Sequence, residues 1–206
     1  EDFDAALPGP TQFLVDVSTF VRRFAPFVFG AIVVAFISLA QFKKTEKGAY
    51  MWDAMMLRLP IFGELLKKVS LSRFASTFAQ MTRSGVPILE ALDITAVATG
   101  NKVMAASVFR SKDFVERGEP LSHALLNDKN FSTMLVQMLA AGEKSGKVDE
   151  MLAKIAKFYE DEVDATLSGL TSLIEPLLIV FLGVVIGGIV LCMFMPIFKM
   201  HELVQF

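Results

Sequence analysis

Hydrophobic and polar positions alternate along this chain on two different scales. On the longer scale, two runs carry no charged side chain: Phe24 to Phe42, between Arg22-Arg23 and Lys43-Lys44, and Pro176 to Phe198, closed by Lys199. Taken as helix, the second run reaches roughly 34 Å at 1.5 Å per residue, enough for a hydrocarbon layer of about 30 Å. Backbone amides inside a bilayer find no water, so each run is expected to close its own hydrogen bonds as a membrane-spanning helix. Two crossings put both tails on one side and the intervening 43–175 on the other.

On the shorter scale, the middle segment shows helical spacing throughout and no sustained alternation of period two. Leu71, Phe74, Phe78 and Met81 form one stripe, which stops at Gly85, and Pro87 opens the next helix with Ile88, Leu89, Leu92 and Val97. A third helix runs from about Lys102 to Arg117 with Met104, Val108 and Val115, and ends at Gly118. Pro120 opens a short fourth, and Met134, Leu135, Met138 and Leu139 mark a fifth. Glycine just past an end and proline at a start is the order helices prefer. A sixth helix begins near Val148, with Asp149 and Glu150 in its first turn, where the helix dipole favours acids. Its stripe is Leu152, Ile155, Tyr159, Val163, Leu167, Leu170 and Ile174, and it runs on towards Pro176, where a bend is expected.

The expected fold is therefore all-α. A six-helix bundle over 70–175 lies between membrane helices at 24–42 and 176–198, its last helix continuous with the second span. Residues 1–23 are then an outer loop, 43–69 a membrane-proximal linker or helix, and 199–206 a tail. One internal echo stands out: Gly85-Val86-Pro87-Ile88-Leu89-Glu90-Ala91-Leu92 and Gly118-Glu119-Pro120-Leu121-Ser122-His123-Ala124-Leu125 share G-x-P-[IL]-x-x-A-L. Ankyrin signatures are missing, so the echo is read as two equivalent helix starts in one bundle.

Composition agrees with a membrane protein. Hydrophobic residues make up 53% and mean hydropathy is +0.52. The net charge of −2 gives no basic field for nucleic acid. The first run lies too far in, and is too long, for a removable signal peptide, and lacks a small-x-small cleavage site. Lys43, Lys44 and Lys47 favour a cytoplasmic middle domain, against Arg22 and Arg23 on the other flank. The lone Cys192 allows neither an internal disulfide nor a cysteine metal site.

Candidate chemistry is sparse. There is no G-x-x-x-x-G-K-[ST] phosphate loop, His123 and His201 fall on opposite sides of the second span, and no nucleophile has a recognisable setting. No cofactor is expected. Glu160, Asp161, Glu162 and Asp164 could bind a divalent cation, although a solvated helix face fits the spacing better. Gly183-x-x-x-Gly187, followed by Gly188, presents a small-residue face suited to close packing of membrane helices. Glu175, beside Pro176, is a carboxylate at the mouth of a span, either functional or simply interfacial. Trp52 suits the headgroup level or the edge of the domain core.

Several segments carry a family resemblance. Gly142-Glu143-Lys144-Ser145-Gly146-Lys147-Val148-Asp149-Glu150-Met151-Leu152 is similar to the G-E-x-[SA]-G-x-[LV]-D-x-M-L segment of the type II secretion F family. These are polytopic inner-membrane platform proteins of type IV pili and type II secretion. Ser84-Gly85-Val86-Pro87-Ile88-Leu89-Glu90-Ala91-Leu92, Arg73-Phe74-Ala75, Gly100-Asn101, Glu175-Pro176 and Pro196-Ile197-Phe198 resemble further family segments in the same order. Tyr159-Glu160-x-Glu162-Val163-Asp164 resembles the pilus branch more closely than the secretion branch. Members usually carry two helical domains and three spans, and this chain resembles the second half.

The resemblance implies a non-enzymatic protein of the bacterial inner membrane, with its domain cytoplasmic and its tails periplasmic. Implied partners are a hexameric motor ATPase, pilin or pseudopilin subunits, other inner-membrane components and further copies of itself. It also implies that Gly85, Pro87, Gly142 and Gly146 set turns and that Glu175 faces the membrane entrance. Glu143 is expected to anchor a turn, accepting hydrogen bonds from nearby amides or from a base such as Arg73. The other function class to weigh is a subunit of a membrane transporter or channel, which would show further polar spans.

Overall fold

The computed structural model describes residues 9–203, and side-chain surroundings for residues 12, 16 and 18–194. Among them eight helices follow one another and no strand occurs. They are α1 (Gly9–Lys44), α2 (Glu46–Arg58), α3 (Phe62–Arg83), α4 (Ile88–Ala98), α5 (Lys102–Glu116), α6 (Leu121–Leu125), α7 (Thr133–Ser145) and α8 (Val148–Leu203). The chain divides into two compact units, Gln41–Gly169 and the pair of segments Glu1–Ala40 and Leu170–Phe206.

The first unit is a bundle around one core. Leu71, Phe74 and Phe78 of α3 meet Leu92 of α4, Met104 and Val108 of α5, Leu121 and Leu125 of α6, Leu135 and Leu139 of α7, and Leu152 and Ile155 of α8. Phe74 lies against Phe78 with ring centres 5.8 Å apart and meets Phe131 edge-on at 5.3 Å. Each such buried side chain stabilises the fold by about 1.5–3 kcal/mol. The stripes read from the sequence supply the buried faces, with four departures. Ile88 and Val97 of α4 are 40% and 74% exposed, and on α8 the stripe leaves the core after Tyr159, so that Leu167 and Ile174 are exposed. Lys68 of α3 still reaches Thr166 of α8, at 3.3 Å.

Local chemistry sets the helix ends. Asn101 caps α5 by accepting from the amides of Val103 and Met104, Ser132 caps α7 through Leu135, and Thr45 caps α2 through Gly48. Most buried hydroxyls are satisfied: Ser111 donates to the Val108 carbonyl and Thr99 to that of Ala96. The buried Thr95 hydroxyl of α4 has no hydrogen-bond partner among the described residues.

Two helices begin earlier than the apolar runs suggest. α1 starts at Gly9, so residues 9–23 of the expected loop are helical. Pro10 is tolerated in a first turn, and Arg22-Arg23 ends apolarity without ending a hydrogen-bond ladder. α3 starts at Phe62, and α2 lies against both α3 and α5, so 46–69 belongs to the bundle's compact unit. In the other unit, every described side chain from Ser18 to Ala40 is exposed, as are those from Thr171 to Phe194 apart from Cys192. α1 and α8 are each long and apolar enough to cross a membrane.

Candidate functional site

The repeated G-x-P segments fold alike. Gly85 and Gly118 have φ of +74° and +84°, a region that penalises any β-carbon. After each glycine the chain turns back on the helix just ended: Val86 N–H donates to the Met81 carbonyl and Glu119 N–H to the Phe114 carbonyl, both at 3.1 Å. Pro87 and Pro120 then hold ψ of 137° and 140° immediately before α4 and α6. Both prolines sit at the cap position, one residue before the first helical turn.

The second turn is completed by a residue far away in sequence. Glu143 of α7 accepts the Leu121 amide at 2.7 Å and the Ser122 amide at 3.3 Å on each carboxylate oxygen, and the Ser122 hydroxyl donates to its Oε2. Glu143 is half-buried and supplies the negative charge that the start of α6 favours. Its partners are amides 21 and 22 positions away on α6 rather than those of its own turn, and Arg73 is not among the partners found.

The turn after Glu143 explains its two glycines by different means. Gly146 has φ of +71°, and Lys147 N–H reaches the Gly142 carbonyl at 2.9 Å, the left-handed helix ending that glycine permits. Gly142, also expected to set the turn, has an ordinary helical backbone and no positive φ. A β-carbon there would stand 3.1 Å from the Val148 Cα and from the Met151 Cγ, so it lets the end of α7 approach the start of α8.

Arg73 lies on the outside of α3, with its guanidinium across Gly100. The Nη1 is 2.6 Å from where a Gly100 β-carbon would be. Val69, Ser72, Arg73, Lys157, Glu160 and Asp164 line a shallow groove of about 310 Å³ between α3 and α8. Beside it, Lys68 bonds Glu162 at 2.9 Å and Glu64 at 3.2 Å. The Glu162 hydrogen bond leads in raising its pKa, outweighing partial burial, with Glu64 adding to it. Asp161 pairs with Lys157 at 2.8 Å and raises that pKa too. The acidic cluster is thus partly paired with lysines, and no metal-holding group of His, Cys, Asp or Glu occurs among the described residues.

Glu175, Pro176, Gly183, Gly187 and Gly188 all lie on α8, which runs through Pro176 as one helix. Glu175 is exposed, and among the described residues nothing beyond the helix's own adjacent backbone and chain neighbours would come within 4 Å of a β-carbon at the three glycines. Three contacts between distant residues escaped the sequence reading. Asp53 of α2 accepts the Lys102 amide at 2.7 Å, adding a second cap to α5. The hydroxyls of Ser132 and Tyr159 meet at 2.5 Å, and burial leads in raising the Tyr159 pKa. Arg110 bonds Asp128 at 2.9 Å beside Ser107.

The family model described as "Type II secretion system (T2SS), protein F" matches residues 74–196. Among curated proteins, the type IV pilus assembly protein PilC of Myxococcus xanthus is 41% identical over 99% of this chain and 49% of its own length. The PilC protein of Thermus thermophilus is 41% identical over 96% of this chain and 49% of its own length. The type II secretion system protein F of Pseudomonas aeruginosa is 34% identical over 98% of this chain and 50% of its own length. The chain thus spans about half the length of the curated relatives it matches.

Proposed function

The chain belongs to the type II secretion system protein F family, and from that premise we propose that it serves as an inner-membrane platform of a type IV pilus or related secretion machine. In this reading α1 and α8 cross the membrane, the bundle lies in the cytoplasm against a hexameric motor ATPase, and the flanking tails are periplasmic. The platform oligomerises and passes the motor's movement to pilin or pseudopilin subunits entering or leaving the fibre base. Its role is mechanical, without catalysis.

The observation that carries this reading is α8. A single helix holds Leu152 and Ile155 in the bundle core and also contains the uncharged run from Pro176 onwards. A helix shared in this way would transmit a push or a twist from one unit to the other. The relatives' names support the setting, since they belong to pilus assembly in one branch and type II secretion in the other. The open Gly183–Gly188 face suits another membrane helix.

Photo-crosslinkers placed on exposed positions of the bundle in living cells test the motor contact. The expected result is an adduct with the motor ATPase; adducts only with other membrane proteins overturn it. Glu175 offers a second test, because a carboxylate at the span's mouth would guide the charged N-terminus of a pilin. Glu175→Gln is expected to leave protein levels normal and to reduce surface fibres, with Glu175→Asp milder. Normal piliation in Glu175→Gln would make this residue a bystander.

A further inference from the structure

We propose that the outer face of α2, with the turn that follows it, rests on the bilayer surface and is held there by anionic lipid headgroups. This inference relies on α1 being a membrane span. Along α2 and its C-cap the exposed side chains Met51, Met55 and Leu59 repeat every fourth residue, and across the following turn Phe62, the first residue of α3, is exposed as well. They are 62%, 50%, 40% and 57% exposed, whereas Gly48 is buried and Trp52, Asp53, Met56 and Leu57 turn partly inward. The exposed Lys47 and Arg58 flank the ridge, and Lys43 and Lys44 close α1 just before the Thr45 that joins the two helices. The nearby acids Asp53 and Glu64 are engaged by the Lys102 amide and by Lys68, which leaves Glu46 in the first turn. An apolar ridge edged by cations is the pattern of a helix lying in the headgroup region.

Continuity says what covers this ridge. Thr45 alone separates α1 from α2. The Thr45 amide and hydroxyl both donate to the Phe42 carbonyl, at 3.2 and 2.8 Å. Gly48 is so close that a β-carbon would fall 2.0 Å from the same oxygen. The Lys43 ammonium stands 4.5 Å over the Trp52 ring, a further tie across the joint. The start of α2 is therefore fixed against the last turn of α1, where the apolar run ends, and the ridge begins roughly 10 Å further along the helix.

The following turn points the same way. Ile61 has φ 69° and ψ −60°, closed by Phe62 N–H to the Pro60 carbonyl at 2.8 Å. A β-branched residue is costly in this region, yet the Ile61 side chain is 55% exposed, so the core does not account for it. Insertion into an apolar layer would.

The test uses the full protein in vesicles of phosphatidylethanolamine with or without phosphatidylglycerol. Single spin labels on a cysteine-free background are placed by Met55→Cys and Phe62→Cys, with Val33→Cys in α1 and Val97→Cys on α4 as references. Labels at 55 and 62 are expected to collide with oxygen several-fold more, relative to a water-soluble nickel complex, than the label at 97. Lys47→Glu with Arg58→Glu is expected to lower that preference, as is omission of phosphatidylglycerol. Labels at 55 and 62 as wet as that at 97, with 33 lipid-exposed, overturn this inference and leave the span intact. Dipolar broadening between labels at 55 without oxygen preference also overturns it, in favour of a second copy. A wet label at 33 removes the span itself.

Discussion

The turns at Gly85 and Gly118 share one sequence pattern and one backbone geometry, yet they open very different helices. α4 runs for 11 residues and has no side-chain cap, lying between α3 and α5. α6 has 5 residues, and its first amides are claimed by Glu143. A helix of one turn makes few hydrogen bonds of its own, so its exposed amides weigh heavily and a charged acceptor from a neighbour matters more. The shared pattern dictates where the chain turns; the packing around it decides what kind of helix follows.

Removing the distant cap should expose that difference most. Glu143→Ala is expected to destabilise the protein by about 3 kcal/mol, because two amides and a hydroxyl lose a charged acceptor, with Glu143→Gln milder. Thermal unfolding followed by circular dichroism reads the loss, and an unchanged melting temperature would show that α6 stands without help. The turn that carries Glu143 comes next. Gly142→Val should cost about 2 kcal/mol through collision with Val148 and Met151, and Gly146→Val about 1–2 kcal/mol through its positive φ. Lys147→Val, on an exposed position, should fall within about 0.5 kcal/mol of the parent.

A smaller effect checks the shared half of the comparison. Gly85→Ala and Gly118→Ala should each cost about 1 kcal/mol and agree closely, since both glycines have the same backbone conformation. A marked inequality would mean that surroundings, not φ, set the cost. The smallest effect concerns acid and falls beyond the second turn, on Asp128 in the loop after α6. Burial by itself would raise the Asp128 pKa, but the Asn130 amide, the Ser107 hydroxyl and Arg110 together lower it below 3.8. The folded protein then binds this proton less tightly than the unfolded chain. The contribution is complete above about pH 4 and drains away as pH falls through the folded value. Asp128→Asn should therefore flatten the acid limb of the stability profile, measured as the slope of unfolding free energy against pH.

Much of the bundle was legible because its signals are short in range. A glycine needing positive φ, a proline before a helix and a stripe at three and four residues are each written within one turn. This is why Gly85, Gly118 and Gly146 read correctly and why Phe74, Leu92 and Leu152 fell in the core. What stayed hidden depends on residues meeting across the fold. Nothing near Glu143 says that its carboxylate faces Leu121, 22 positions earlier, and nothing near Asp53 announces Lys102, 49 positions later. Gly142 looked like a second turn glycine because sequence does not separate a need for positive φ from a need for thinness. The stripe on α8 continued past Tyr159 in sequence, but whether an apolar face is covered depends on its neighbours.

Thr95 leaves the bundle with room to improve. Its hydroxyl lies in the core without an acceptor among the described residues, and valine would fill nearly the same space without burying a polar atom. Natural proteins are seldom at their stability optimum. Anyone purifying this domain away from its membrane thus has one first substitution to make, Thr95→Val, at a position that no solvent reaches.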